Sequence, residues 1–367
     1  MTTTYCGLVV KKINILLRYA LVLVLGPGFS LLARAAPVPS ETGTPAVFRS
    51  HQAMGTMFEL LLFGETGAVE ENDLELAADD AFDLLDRIER QLSNWINDSP
   101  VAVMNRNAWP DAVPVDPVVW DALKQSRAYW EMTGGAFDVT VGPLLDLWGF
   151  YREKVGIPSE AEVKGALERI GMNNVEMDPS ARTVRYLRPG IRIDFGGIGK
   201  GIALDRMAAL LKERRVRAAK LVGGTSSILV FGNPPKQKNW KVDIFSPYNR
   251  TAGETLATVY LRNESLSTST ASERYVEWNG RKYGHIFDPR TGYPAETDLV
   301  SVSVIVPDAT WSDALSTAFF VMGSEEVRRF CAQHPETRCV LMSDRNRTGK
   351  PVVEYVNITP EKDADHE

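Results

Sequence analysis

Asp313 and Thr317 lie four positions apart in a stretch whose apolar spacing predicts a helix, so their oxygens face the same way, one turn apart. A carboxylate and a hydroxyl placed like this suit a hard cation such as Mg²⁺, whose octahedron is usually completed by water and substrate phosphates. The pair also reads as a plain helix start, with Ser312 or Asp313 as cap and the acid favoured by the helix dipole. A second candidate is the run Gly196-Gly197-Ile198-Gly199-Lys200-Gly201 ahead of another helical pattern. Backbone N–H groups at a helix start, with no Cβ in the way, can hold a phosphate. The run is not a nucleotide P-loop, because Gly201 stands where Ser or Thr would follow the lysine. Nor is it a dinucleotide fingerprint, whose third glycine is missing. Its plainer reading is a tight strand-to-helix turn with an exposed Lys200.

A third cluster runs from Tyr283 to Pro294 and places His285, Asp288, Arg290 and Thr291 around Pro289 and Gly292, which hold the backbone in a turn. Of the four histidines, His51, His334 and His366 fall near a strand edge, a helix end and the chain terminus. His285 is the one inside a dense polar cluster, and it reads either as a structural histidine or as a site residue. The hydroxyl run Ser265 to Thr270 reads as a solvated strand edge, and no G-x-S-x-G elbow supports a serine hydrolase.

The elements that must carry these groups follow from periodicity. Met57–Phe63 reads as the first strand, Asn72–Leu92 as an amphipathic helix, and Asp116–Met132 as a second helix stopped by Gly134-Gly135. Arg192–Phe195 is expected to be a short strand running into the glycine loop, with a helix through Leu211 behind it. Further strands are expected at 219–222, 228–231, 240–245 and 255–261, then a hairpin turning at Asn279-Gly280, then a strand at 299–306. A helix from Ser312 closed by Gly323, another from Glu325, and strands at 338–342 and 352–358 complete the chain. The fold class expected is α+β, one elaborated domain with a mixed, largely antiparallel sheet and packed helices.

The chain has 367 residues, 44% hydrophobic and 24% charged, enough apolar material for a large core. Lys11, Lys12 and Arg18 precede or interrupt an apolar stretch that ends in Ala33-Arg34-Ala35, the layout of a secretory signal with its cleavage site. Arg18 and Gly26-Pro27-Gly28 argue against a spanning anchor, which wants about 20 uninterrupted apolar residues. The expected division is a signal peptide over 1–35, a tail over 36–50, the folded domain over 51–360 and a C-terminal tail over 361–367. Removing the signal takes away only positive charge from a chain already at −6, so nucleic acid is a poor partner. Cys6 lies ahead of the apolar run, where it cannot be a lipid-modified first residue, so an exported periplasmic enzyme is expected and not a lipoprotein. Cys331 and Cys339 are left as a disulfide pair or as two buried thiols.

In order along the chain, these pieces resemble the ApbE-type FAD:protein FMN transferases. The resemblance runs from about Met54 to Gly323. It shows in Met54-Gly55-Thr56, in Ser93 with Asp98-Ser99 and Asn105, and in Gly135 to Pro143 followed by Leu147-Trp148-Gly149-Phe150. It continues through Ile193 to Gly201 with Asp205, His285 to Gly292, and Ser312 to Ala318. The resemblance implies an ApbE-like, T-fold-related architecture and a reaction in which FAD gives FMN to a Thr or Ser of another protein and AMP leaves. It implies that Asp313, Thr317 and the Gly197 carbonyl hold Mg²⁺, that Lys200 sits near the phosphates, and that His285 is the base. It also implies that Met54, Trp95, Phe137, Asp138, Trp148, Thr225 and Arg290 contribute to FAD binding. The chain departs from the family at Trp95, where Tyr is usual, at Thr225 in place of Glu, and at Thr270 in place of Gly. Two other outcomes keep the same residues: an Mg²⁺-dependent FAD pyrophosphatase, in which water attacks, and a flavin binder without catalysis.

Overall fold

Runs of apolar and β-branched residues build a sheet whose central strands are buried on both faces, and the computed structural model describes the chain over residues 46–65, 67, 69–151, 157–248, 253–270, 275–346 and 348–359. The segments read as signal peptide and C-terminal tail, and the first part of the tail over 36–50, lie outside the described residues. Eight strands, each antiparallel to its neighbours, follow one another across the sheet in chain order. They are β1 (Ala46–Ala53), β2 (Thr56–Phe63), β3 (Ala218–Gly223), β4 (Ser227–Phe231), β5 (Glu264–Thr270), β6 (Leu299–Val306), β7 (Arg338–Ser343) and β8 (Val352–Val356). β1 corrects the tail reading, since residues 46–50 form an edge strand paired with β2.

The helices are α1 (Glu71–Leu92), α2 (Pro100–Asn107), α3 (Pro117–Met132), α4 (Gly142–Leu147), α5 (Glu160–Leu167), α6 (Gly199–Glu213) and α7 (Ala309–Gln333). In α1 the buried set Leu74, Ala77, Ala78, Ala81, Leu85 and Ile88 forms one stripe. That stripe, with Met207 and Leu211 of α6 and Leu315 and Phe319 of α7, packs on Phe58, Leu60 and Leu62 of β2 and their neighbours. The opposite face of the sheet, with Phe63, Val230, Leu266 and Ile305, is covered by the ribbon Trp240–Phe245 with Thr255–Leu261. The result is three layers, helices on sheet on ribbon. α7 is broken at Gly323, whose φ of 77° takes it out of helical conformation, and Ser324 restarts the helix by donating its N–H and hydroxyl to Asp298 at 3.0 and 2.7 Å.

Two expectations fail for a physical reason. Residues 192–195 form no strand, because their polar backbone is paired by side chains and by a neighbouring loop. The hydroxyl run is no solvated edge: it is β5, inside the sheet between β4 and β6, with Ser265, Ser267 and Ser269 turned onto α7.

Candidate active site

The approach to the glycine loop is held by an amide that imitates a sheet partner. Asn105 of α2 donates to the Ile193 carbonyl at 2.9 Å and accepts the Ile193 N–H at 2.8 Å, while Asp194 N–H reaches the Val139 carbonyl at 2.7 Å. Asn94 and Tyr186 fix Asn105 in turn, at 2.9 and 2.6 Å. Asp194 then accepts from the Gly196 N–H at 2.7 Å, and from the Tyr151 hydroxyl and Asn94 on its other oxygen. The Phe195 carbonyl takes the N–H groups of Ile198 and Gly199, which starts α6.

α6 meets the start of α7 at Gly201, where a Cβ would lie 2.3 Å from the Ala309 carbonyl oxygen. Only glycine allows that approach. Asp205, one turn further along α6, caps α7 by accepting from the N–H groups of Ala309 and Thr310, both at 2.8 Å, and from the Thr310 hydroxyl at 2.6 Å. Burial still pushes its carboxyl above the ordinary value. Asp313, 6% exposed, receives the Gly201 N–H on one oxygen and the Ser227 hydroxyl on the other, each at 2.7 Å. A Cβ at Gly197 would sit 3.2 Å from Phe137 Cε2 and 3.8 Å from Thr317 Oγ1. Gly197, Phe137 and Thr317 are therefore neighbours, and Asp313 lies one turn before Thr317 on α7.

The remaining cleft residues come from two adjoining turns. Met54 and Gly55 turn β1 into β2 with φ of 51° and 72°, an Asn-Gly-type conformation that methionine adopts only at a cost. Gly224, in the turn from β3 to β4, donates to the Met57 carbonyl at 2.9 Å, and a Cβ there would lie 2.6 Å from Thr56 Oγ1. Next to it Gly223 lies against the Lys200 side chain. The Met54-Gly55 turn, through Thr56 and Met57, therefore lies beside the Gly223-Gly224 turn, which reaches Lys200, and Thr225 is exposed. The Ser226 hydroxyl between Thr225 and Ser227 is buried without a partner among the described residues.

Trp95 is 69% exposed and meets the edge of Tyr151, over which Arg192 lies at 3.8 Å. Its indole is open for stacking. Trp148, expected to offer such a face, is 5% exposed and packed by Tyr283, Phe287 and Tyr293. Its ring nitrogen instead donates to the Gly292 carbonyl at 3.1 Å and ties down the turn that follows His285. Asp138 is likewise buried; it accepts the Thr140 N–H and hydroxyl at 2.7 and 2.6 Å, and desolvation raises its carboxyl to about 6. Trp148 thus holds the 283–293 turn, and Asp138 the turn at Thr140. Arg290 forms a two-pronged pair with Asp288, at 2.9 Å on both contacts, so its guanidinium is already engaged. His285 is half-buried, two residues from Tyr283 and next to Ile286, a member of the main core.

Ser227 and Asn94 escaped the sequence reading. Nothing in one chain marks a serine as the partner of an aspartate far along it; the alternation of serines in β5 was the available trace.

A carboxylate and a hydroxyl on α7, a glycine loop with a lysine at the start of α6, and an exposed indole are thus carried by one α+β fold. The sequence model of the ApbE family matches residues 54–341, and the chain belongs to that family. An FAD:protein FMN transferase of Treponema pallidum (strain Nichols) is 30% identical over 84% of this chain and 88% of its own. Another, of Klebsiella pneumoniae (strain 342), is 31% identical over 80% and 84%. Among solved structures, the ApbE protein of Thermotoga maritima superposes with a TM-score of 0.75 at 29% identity, covering 85% of this chain and 97% of that one. The flavinyl transferase ApbE of Pseudomonas stutzeri, at 24% identity and a TM-score of 0.74, over 85% of this chain and 95% of its own, shares the fold.

Proposed function

We propose that this chain is an FAD:protein FMN transferase that moves FMN onto a Thr or Ser hydroxyl of an exported or membrane protein of the cell envelope, with Mg²⁺ as its metal. The observation that carries the reading is the approach of Gly197 to Thr317 and of Gly201 to Asp313, on either side of Lys200 at the start of α6. The donor set fits a hard cation: Asp313 has two neutral partners, one on each oxygen, and a carboxylate has about four acceptor positions. Thr317 and the Gly197 carbonyl add the oxygen ligands that Mg²⁺ favours. Such an ion would offset negative charge on the diphosphate as the bridging bond breaks.

The chain's own residues supply the rest. Lys200 stands in the first turn of α6, where no acidic residue accompanies it. A cation there is unfavourable toward the helix dipole and becomes useful when a diphosphate is bound. The indole of Trp95 offers a stacking face for a flavin or adenine ring. His285 takes the proton of the acceptor hydroxyl as its oxygen forms a bond to the FMN-side phosphorus; the bridging P–O bond breaks and its electron pair leaves with AMP. The signal segment over 1–35 would deliver the enzyme to the envelope, where its acceptors reside.

Incubation of the mature protein with FAD, Mg²⁺ and an acceptor bearing an exposed Thr should give flavin fluorescence that stays with the acceptor, and one AMP per flavin. AMP without labelled acceptor makes the chain a pyrophosphatase, and bound flavin without AMP makes it a binder. Asp313→Ala should lower transfer by roughly 10³-fold or more, and unchanged activity overturns the metal assignment.

A further inference from the structure

We infer that Ser227 is a positioning residue for Asp313, setting the direction in which the carboxylate offers its oxygens to a divalent cation; this rests on the metal reading above. Ser227 opens β4 and is fully buried, so its hydroxyl has no water to turn to. It donates to Asp313 Oδ1 at 2.7 Å, while the Gly201 N–H holds Oδ2 at the same distance. The two bonds come from different elements, the sheet and α6. Together they stop the carboxyl from rotating about its last bond, yet each oxygen keeps acceptor capacity. Both partners are neutral, so the negative charge stays available to a cation.

The neighbouring serines act otherwise. Ser265 and Ser267 of β5 meet the Ser312 hydroxyl at 2.9 and 2.8 Å, and Ser269 meets Ser316 at 3.0 Å. Those contacts seat α7 on the sheet, hydroxyl against hydroxyl. Ser267 lies opposite Ser227 in the ladder and is equally buried, yet it ends on Ser312 rather than on the carboxylate. It is therefore the matched control for the loss of a buried hydroxyl under the same helix. Partners that orient metal ligands typically change metal affinity by about 10–100-fold when removed.

The test is Mn²⁺ binding, read by electron paramagnetic resonance on FAD-loaded protein without acceptor, together with the Mg²⁺ concentration giving half-maximal transfer. Ser227→Ala should raise the Mn²⁺ dissociation constant and the half-maximal Mg²⁺ concentration by about 10-fold each, Ser227→Thr should bring them back toward wild type, and Ser267→Ala should leave both within about twofold. Melting without metal checks that each variant is folded; if Ser227→Thr is not, the contrast between the two alanine variants decides. Wild-type Mn²⁺ affinity in Ser227→Ala, or equal weakening in Ser227→Ala and Ser267→Ala, overturns the inference. Asp313→Ala is the separate arm: if it binds Mn²⁺ normally, the metal reading itself fails.

Discussion

Asp313 draws its hydrogen bonds from residues 112 and 86 positions away in the chain, whereas Asp288 is bonded by Arg290, two positions on, through backbone and guanidinium. The first carboxylate is a product of the whole fold: α6, α7 and β4 must each be in place before it points anywhere. The second belongs to a turn that builds itself, with Gly292 and Thr291 N–H groups closing on the Asp288 carbonyl and a small aromatic cluster of Trp148 and Phe287 beneath it. One half of the site is therefore stiff because it is core, and the other is shaped locally and then pinned. Damage to the first should reach both stability and chemistry, and damage to the second chemistry above all.

The largest expected effect is on the first half. Gly201→Ala drives a Cβ into the backbone of Ala309 and Thr310, at 2.3–2.6 Å, and neither chain can yield without parting α6 from α7. It should cost about 3 kcal/mol and lower the melting temperature by several degrees. A melting curve like wild type would mean that the crossing is looser than described. His285→Ala should act in the opposite sense, lowering kcat by about 10²-fold while thermal unfolding moves little. A loss of stability comparable to that of Gly201→Ala would remove the distinction between the two halves.

Asp138 tests the stiff half through pH. Its folded carboxyl sits at about 6, raised chiefly by burial, above the value of an unfolded chain near 4. The folded state therefore holds the proton more tightly, and that contribution is complete below about pH 4 and is lost as pH rises through about 6. Asp138→Asn should gain relative to wild type by up to about 2 kcal/mol between pH 4.5 and pH 7.5, read by denaturant unfolding at both pH values. A difference independent of pH would show that Asp138 titrates normally. The smallest effect is expected at Arg290, whose pair with Asp288 is partly exposed. Arg290→Ala should cost less than about 1 kcal/mol, and a larger loss would make the turn depend on that ion pair rather than on its backbone bonds.

Much of the site was legible because its chemistry is carried by short runs. The glycines from 196 to 201, the spacing of Asp313 and Thr317, and the Asp288 to Gly292 turn each state a local geometry, and the structure brings Gly197 to Thr317 and Gly201 to Asp313. The strand Leu299–Val306, buried on both faces, was readable as a short β-branched run, and helices such as α1 and α3 as one-sided apolar stripes. Trp148 and Asp138 show that residue type gives chemistry and not depth. An indole can stack on a ligand or on Tyr283, and only packing chooses.

By itself, then, the sequence determined periodicities, turns and the inventory of oxygen, nitrogen and aromatic groups, because these depend on residues a few positions apart. Tertiary structure alone decided that residues 192–195 would be paired by Asn105 instead of a strand, that a run of serines would face α7 instead of water, and that Ser227 would meet Asp313. Each is a hydrogen bond across a large stretch of chain, and its partner is set by which buried polar group is left to satisfy once the apolar layers have closed.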